Sequence, residues 1–321
     1  MQKFIYSGVT NMPNPCTVCV SPSTRWKIKN GYQLWKCVAK SCGHIFVSPA
    51  PTQDELTDFY SNSADSQENC ATWTVAEDLE RNPDAVREFY ERTRIRLLRR
   101  DGLLHSEKQR IVDIGSATGS FLRSLQLSNY VNLCGVEISQ QQAEYCQSSY
   151  QIEVFPETSL IQSYSTDLAT MYAVLEHFSD PRLVISEVFR ILRNGGHLAI
   201  DVPNTRSLYQ SLTQSHWLWL IPPAHLQYFT PRSLRRLLED SGFEIVKART
   251  LSTTTYLFIF AHHLAQMFGW KLPNRSITRT RKSAKLIQLA EFMIRLALSP
   301  LDLVLRIVKR HNRLVYFAIK Q

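Results

Sequence analysis

Residues 111–121 read IVDIGSATGSF: a short apolar run carrying Asp113, a turn punctuated by Gly115 and Gly119, and the start of a helix-forming segment. Such a run, ending in a glycine turn before a helix, is the βα junction of an α/β fold. Gly115 and Gly119 permit backbone conformations and close ligand approach that a side chain would block. The turn would also present backbone N–H groups at a helix start, which suits a nucleotide-like ligand. The next apolar run, 132–138 (NLCGVEI), ends in Glu137, 24 residues beyond Asp113. In doubly wound α/β folds an acid at the tip of the second strand takes the ribose hydroxyls of the ligand. A nicotinamide fingerprint needs glycines spaced by two and then three; here Ser116, Ala117 and Thr118 separate Gly115 from Gly119, so that pattern fails.

Outward from this junction the βαβ rhythm is regular. Strand 111–114, helix 119–127, strand 132–138, helix 139–149 and strands near 152–155 and 167–172 follow one another. Asp180-Pro181 then starts a helix with an apolar face of Leu183, Val184, Val188, Ile191 and Leu192, and Gly195-Gly196 stops it. Strand 198–202, helix 231–240 and strand 243–249 complete the series. Upstream, Thr52 opens a capped helix, and 77–100 has helical spacing at Leu79, Val86, Phe89, Ile95 and Leu98.

At the N-terminal end, Cys16-x-x-Cys19 and Cys37-x4-Cys42 are separated by 17 residues that read as a β-hairpin. Paired thiolates on two turns meet the needs of a tetrahedral structural zinc, although the second pair is more widely spaced than the usual two. Free loop cysteines are the plain alternative. Residues 1–51 lack the dense basic stripe of a nucleic-acid-binding ribbon, so no nucleic-acid partner is expected.

The D-x-G-x-A-x-G run, Asp113-x-Gly115-x-Ala117-x-Gly119, resembles motif I of class I S-adenosylmethionine (SAM) dependent methyltransferases, with Ala117 where the middle glycine usually stands. Residues 167–177 (DLATMYAVLEH) resemble the fourth-strand motif of that family, and Pro203-Asn204 the end of its fifth strand. His225-Leu-Gln-Tyr228-Phe-Thr230-Pro231, leading into Ser233, is similar to an H-x-x-x-F-s-p-x-s-L element of a methyltransferase-23-like subgroup that commonly begins with a small zinc ribbon. The resemblance runs from about Cys16 to Val246. It implies an α/β fold with a Rossmann-like doubly wound seven-stranded sheet and a small N-terminal zinc ribbon on Cys16, Cys19, Cys37 and Cys42. A helical insertion near the C-terminus is unusual for that fold and is read from the residues themselves. Together these readings give a ribbon at 1–51, a helical linker or cap at 52–105, a SAM-binding core at 106–250, a basic amphipathic insertion at 251–312 and a last core strand at 313–321.

For the site, the resemblance assigns Asp113, Gly115, Ser116, Ala117 and Gly119 to the methionine end of the cofactor and Glu137 to its ribose. Ile138 goes to the adenine, and Met171, Tyr172 and Ala173 to the neighbourhood of the sulfonium. Methyl transfer from a sulfonium is an in-line displacement, so the protein mainly aligns an acceptor and excludes water; a histidine would serve a hydroxyl acceptor as base. His177, His225 and Tyr228 are the candidates, each with the alternative of holding a loop. Trp217 and Trp219 read equally as a lid or as loop core. The acceptor class is a small molecule or a glycan precursor.

Charge is uneven along the chain. The whole carries +9, yet residues 271–321 alone hold twelve Lys or Arg against Glu291 and Asp302, leaving the rest nearly neutral. Residues 285–310 carry one narrow polar stripe on a helical period, and Arg313–Lys320 (RLVYFAIK) reads as a last strand returning to the sheet edge. Residues 255–312 would pack on the body, form a dimer, or touch an anionic membrane surface. An odd count of seven cysteines and no apolar leader point to a reducing cytoplasm, with peripheral contact at the inner face of the membrane as the extension of that reading. A non-catalytic SAM-binding scaffold and a membrane-surface protein are the competing classes.

Overall fold

The computed structural model describes residues 14–52, 55, 83–251, 304, 305 and 307–321. Most of the 251–312 insertion, and the helical spacing at Leu79, Val86 and Phe89, therefore lie outside the described residues or their described side chains. Thr52 and the helical Glu55 are linked by a reciprocal cap: Thr52 N–H donates to the Glu55 carboxylate at 2.7 Å while Thr52 Oγ1 accepts from Glu55 N–H at 3.2 Å.

Two sheets organise the described residues. The smaller joins β1 (Ser23–Lys29), β2 (Tyr32–Cys37) and β3 (Ile45–Val47) to β9 (Gln227–Tyr228), all antiparallel. The larger contains β4 (Ile111–Ile114), β5 (Leu133–Val136), β6 (Glu153–Phe155), β7 (Thr166–Tyr172), β8 (Leu192–Pro203), β10 (Phe243–Leu251) and β11 (Arg313–Lys320). Its order is β10-β11-β8-β7-β4-β5-β6, parallel from β8 to β6.

Alternate strand residues face two separate cores. Ile111, Leu168, Ala199 and Phe317 pack with Ile95 and Leu98 of α1 (Pro83–Arg100) and with Phe121 and Leu125 of α2 (Ser120–Gln126). On the opposite face Val112, Ala169, Ile200 and Tyr316 meet Ile185 and Val188 of α4 (Pro181–Ile191) and Leu234 and Leu238 of α6 (Pro231–Asp240). Residues 140–150 form α3 (Gln140–Tyr150), whose Cys146 packs beside Leu122 and Val154, and the short α5 (Leu208–Thr213) follows β8. Coverage on both faces explains why the central strands read as continuous apolar runs rather than alternating ones.

Three expectations need correction. β11 does not lie at the edge; it runs between β10 and β8, antiparallel to both, because its consecutive apolar residues require cover on two faces, and β10 becomes the edge. The helix after Asp180 ends at Ile191, ahead of Gly195: Leu192 is already extended and paired with Thr166, and the glycines fall in the register shift before His197 pairs with Leu168. Its buried face uses Ile185 where the sequence suggested Leu183, which is exposed. Among the described residues no helix is long and apolar enough to cross a membrane.

Candidate active site

The β4–α2 turn is shaped by two left-handed glycines. Gly115 (φ +70°) leaves no room for a Cβ, which would lie 2.5 Å from Val174 Cγ2, and at Gly119 (φ +78°) a Cβ would collide with Cys146 Sγ. Ala117, in place of the usual middle glycine, is itself left-handed (φ 48°). Four of the turn's N–H groups are engaged within the β4–α2–β5 region, while the helix start at Ser120 has no side-chain cap. Those of Gly115 and Ser116 donate to Val136 O at 2.8 and 3.0 Å, that of Gly119 to Ser116 O, and that of Ala117 to Glu137 Oε2 at 2.9 Å. The other Glu137 oxygen accepts from Ser139 N–H at 2.9 Å. Glu137 thus ties the two strand tips together, beside an exposed Ile138 and a buried Ser116 hydroxyl that has no hydrogen-bond partner.

Asp113 is buried, and its Oδ1 accepts from Thr170 Oγ1 of β7 at 2.6 Å. Burial pushes its carboxyl up to about 7, against the Thr170 hydrogen bond and the Arg94 charge that favour ionisation. Next along β7, Met171 is buried and Tyr172 packs edge-on against Phe121 at 5.0 Å. Arg94 of α1 lies over the Tyr172 ring at 4.3 Å and pairs with Glu91 at 2.9 Å. Ala173 takes a left-handed φ of 59°, with its N–H donating to Asp201 O.

A 3₁₀ turn, Leu175–His177, follows. His177 Nδ1 faces Ala224 O at 2.7 Å, His225 Nδ1 faces Trp219 O at 3.0 Å, and the two imidazoles meet edge to face with centroids 4.8 Å apart. Carbonyls only accept, so each Nδ1 carries a proton, and in the neutral imidazole Nε2 keeps its lone pair. Burial holds His225 well below the ordinary histidine range, with the neighbouring His177 adding to the effect. Glu176 completes the group: one ligating atom from each of the three residues lies within 4.8 Å of the others. Its carboxylate is 1% exposed, both oxygens lack hydrogen-bond partners, and burial raises its pKa.

Tyr228 is a loop-holding residue: 2% exposed, it donates its hydroxyl to His225 O at 2.8 Å. Trp217 and Trp219 are loop core rather than a lid, packed with Leu34, Val47, Leu226 and Tyr228.

The four N-terminal cysteines converge. Cys16 and Cys42 sulfurs are 3.9 Å apart and those of Cys19 and Cys37 3.4 Å, near the ~3.8 Å edge of a tetrahedron with metal–sulfur bonds of about 2.3 Å. The contact between Cys16 and Cys42 lowers Cys16 to about 4 and raises Cys42, while burial pushes Cys37 up to about 11. This knuckle is fastened to the histidine loop. Gln227 accepts from Thr17 Oγ1 and bonds His44 Nε2, both at 2.8 Å, and donates to Phe178 O and Ser179 O. The Thr230 hydroxyl, which caps α6, donates to Cys42 O at 2.8 Å.

A methyltransferase domain family profile matches residues 84–248, half of the chain. The chain belongs to this methyltransferase family. The methyltransferase is 26% identical over 166 residues to an O-methyltransferase of Aspergillus nomiae, covering 46% of this chain and 70% of the relative. It is 24% identical over 220 residues to an O-methyltransferase of Pyrenophora dematioidea, covering 61% and 78%. Among solved structures, a SAM-dependent methyltransferase from Archaeoglobus fulgidus shares 20% identity at a TM-score of 0.47, over 73% of this chain and 94% of that one. The enzyme is therefore a SAM-dependent methyltransferase.

Sequence reasoning missed Glu91, Arg94, Thr170, Glu176 and Gln227. Glu176 and Gln227 stood inside quoted motifs, beside His177 and His225, and an acid next to a candidate histidine was the available signal. Nothing in the sequence distinguishes Glu91 and Arg94 from other charged residues on α1.

Proposed function

We propose that this methyltransferase methylates a hydroxyl oxygen of a small molecule. The observation that carries this reading is the meeting of Glu176, His177 and His225, three lone-pair-bearing groups just past the tip of β7. An oxygen acceptor must lose a proton, whereas SAM itself brings an activated methyl on a sulfonium. The relatives' printed names, O-methyltransferase, point the same way.

In this reading Asp113, Gly115, Ser116, Ala117 and Gly119 hold the methionine portion of the cofactor. The crowding around Gly115 and Gly119, the buried Asp113 carboxyl and the unpartnered Ser116 hydroxyl suit a polar ligand pressed against backbone. Glu137 takes the ribose hydroxyls, Ile138 covers the adenine, and Met171, Tyr172 and Ala173 flank the sulfonium. His177 and His225 act on the acceptor's proton, while Tyr228 fixes the His225 backbone. Cys16, Cys19, Cys37 and Cys42 hold a structural zinc, supported by their sulfur spacing.

The test is transfer of labelled methyl from SAM to a panel of phenols, alcohols, amines and thiols. Labelling of hydroxyl compounds, reduced by about 10²-fold or more in His177→Ala, is expected. Labelling confined to amines or thiols would overturn the hydroxyl assignment.

A further inference from the structure

We propose that Glu176, His177 and His225 form a binding site for a first-row divalent cation on the acceptor side of the enzyme. What the cation would do rests on the hydroxyl-methylation reading above; whether it binds does not.

Three observations converge. Each imidazole has Nδ1–H fixed on a backbone carbonyl, Ala224 O for His177 and Trp219 O for His225, which leaves both Nε2 lone pairs uncommitted. Histidines that ligate metals are oriented by this kind of outer hydrogen bond. Between them stands a carboxylate that is 1% exposed and has no hydrogen-bond partner on either oxygen. Finally, one ligating atom from each residue lies within 4.8 Å of the others.

No hydrogen bond joins the three groups, and neither Glu176 oxygen takes one from elsewhere. A buried carboxylate so placed needs a positive charge or a proton. Arg313, which meets Asp201 at 2.7 Å, lends Glu176 its charge without a hydrogen bond to either oxygen. A divalent ion would meet the carboxylate and both imidazoles at once. Two imidazoles and one carboxylate suit manganese, iron, cobalt or zinc better than magnesium or calcium. Three protein ligands leave positions open for an acceptor oxygen. With the cation in place the two imidazoles would act on the acceptor's proton through the metal rather than as bases: a hydroxyl bound there ionises at lower pH, its proton passing to water, and presents an oxygen nucleophile.

The backbone holds these groups in place. Leu226 N–H donates to Glu176 O, and Val47 N–H of β3 donates to Leu226 O, so the ribbon sets the distance between the Glu176 turn and His225.

Electron paramagnetic resonance of Mn²⁺ titrated into the full-length protein, with any ribbon metal retained, tests the site. Manganese is the probe because the thiolates of the ribbon select zinc. About one bound Mn²⁺ per chain is expected, with affinity lowered at least tenfold by Glu176→Gln and by His177→Gln. His177 is exposed, so its variant separates loss of a ligand from loss of fold. Absence of bound Mn²⁺ in the wild type, or binding unchanged in both variants, would overturn the site and leave a shared proton among the three groups. Calorimetric titration with SAM on the same samples separates the two readings. Intact SAM binding without Mn²⁺ removes only the cation, whereas absent SAM binding counts against the cofactor assignments.

Discussion

Asp113 stands on β4 and Glu137 just past the end of its parallel neighbour β5, and the turn at their tips is closed by hydrogen bonds spanning fewer than 25 residues. Glu176 and His225 meet under different conditions. Their approach depends on β9 pairing with β3, on Gln227 bonding Thr17 and His44, and on Thr230 bonding Cys42. One wall of the site is local and belongs to the doubly wound sheet. The other is assembled across about 180 to 210 residues, with the cysteine knuckle as its fixed point. The difference teaches where damage should propagate: a lesion in the ribbon should spoil the acceptor wall and spare the cofactor wall.

The largest effect should come from the ribbon. Cys16→Ser, which removes one ligand of the proposed zinc site, is expected to abolish methyl transfer while changing SAM affinity less than about threefold, because a structural zinc held there would contribute on the order of 10 kcal/mol to folding its own module. Equal loss of SAM binding, measured by calorimetry, would break the comparison. Gly119→Ala should do the reverse. Its Cβ collides with Cys146 Sγ at a left-handed φ, a cost of roughly 2–4 kcal/mol in stability, and SAM affinity should fall with it.

The third prediction concerns pH. With a folded-state pKa of about 7, Asp113 is ionised only above neutrality, so the carboxylate needed by the cofactor's ammonium group is lost as pH falls through 7. SAM affinity should drop by up to about tenfold per pH unit below that point. The same raised pKa favours folding below about 3.9 and loses that contribution as pH rises through 7. Asp113→Asn should therefore unfold at higher temperature than wild type at pH 8, with the gap closing toward pH 4. A pH-independent difference in melting temperature would contradict the burial argument. The smallest effect is Ala117→Gly, which relieves a left-handed alanine and should stabilise by up to about 1 kcal/mol with little change in turnover.

Legibility in the sequence follows the same division. The β4 turn, the Glu137 tip, the cap at Asp180 and the α6 start at Pro231 are decided by residues within a few positions of one another, and the sequence carries them. Placement of β11 was only half legible. Its strand character follows from RLVYFAIK, but its interior position depends on cover from two faces that are distant in sequence. On the acceptor wall, His177 and His225 could be picked as residue types and Glu176 by its place beside His177, whereas the burial of Glu176 without a partner could not be foreseen. Its burial arises from the turn after β7 meeting the loop carried by β9. Tyr228 and the tryptophans looked available for an acceptor because aromatic residues suit both lids and cores; packing against Leu34 and Val47 makes them core.

The most direct test is SAM titration of wild type and Glu137→Ala by calorimetry at pH 8, where Asp113 is ionised. The carboxylate assigned to the ribose diol makes two charge-assisted hydrogen bonds, so the variant should bind about 100-fold more weakly or worse, with the fold retained. Undiminished affinity in Glu137→Ala, or no SAM binding by the wild type, would contradict the account.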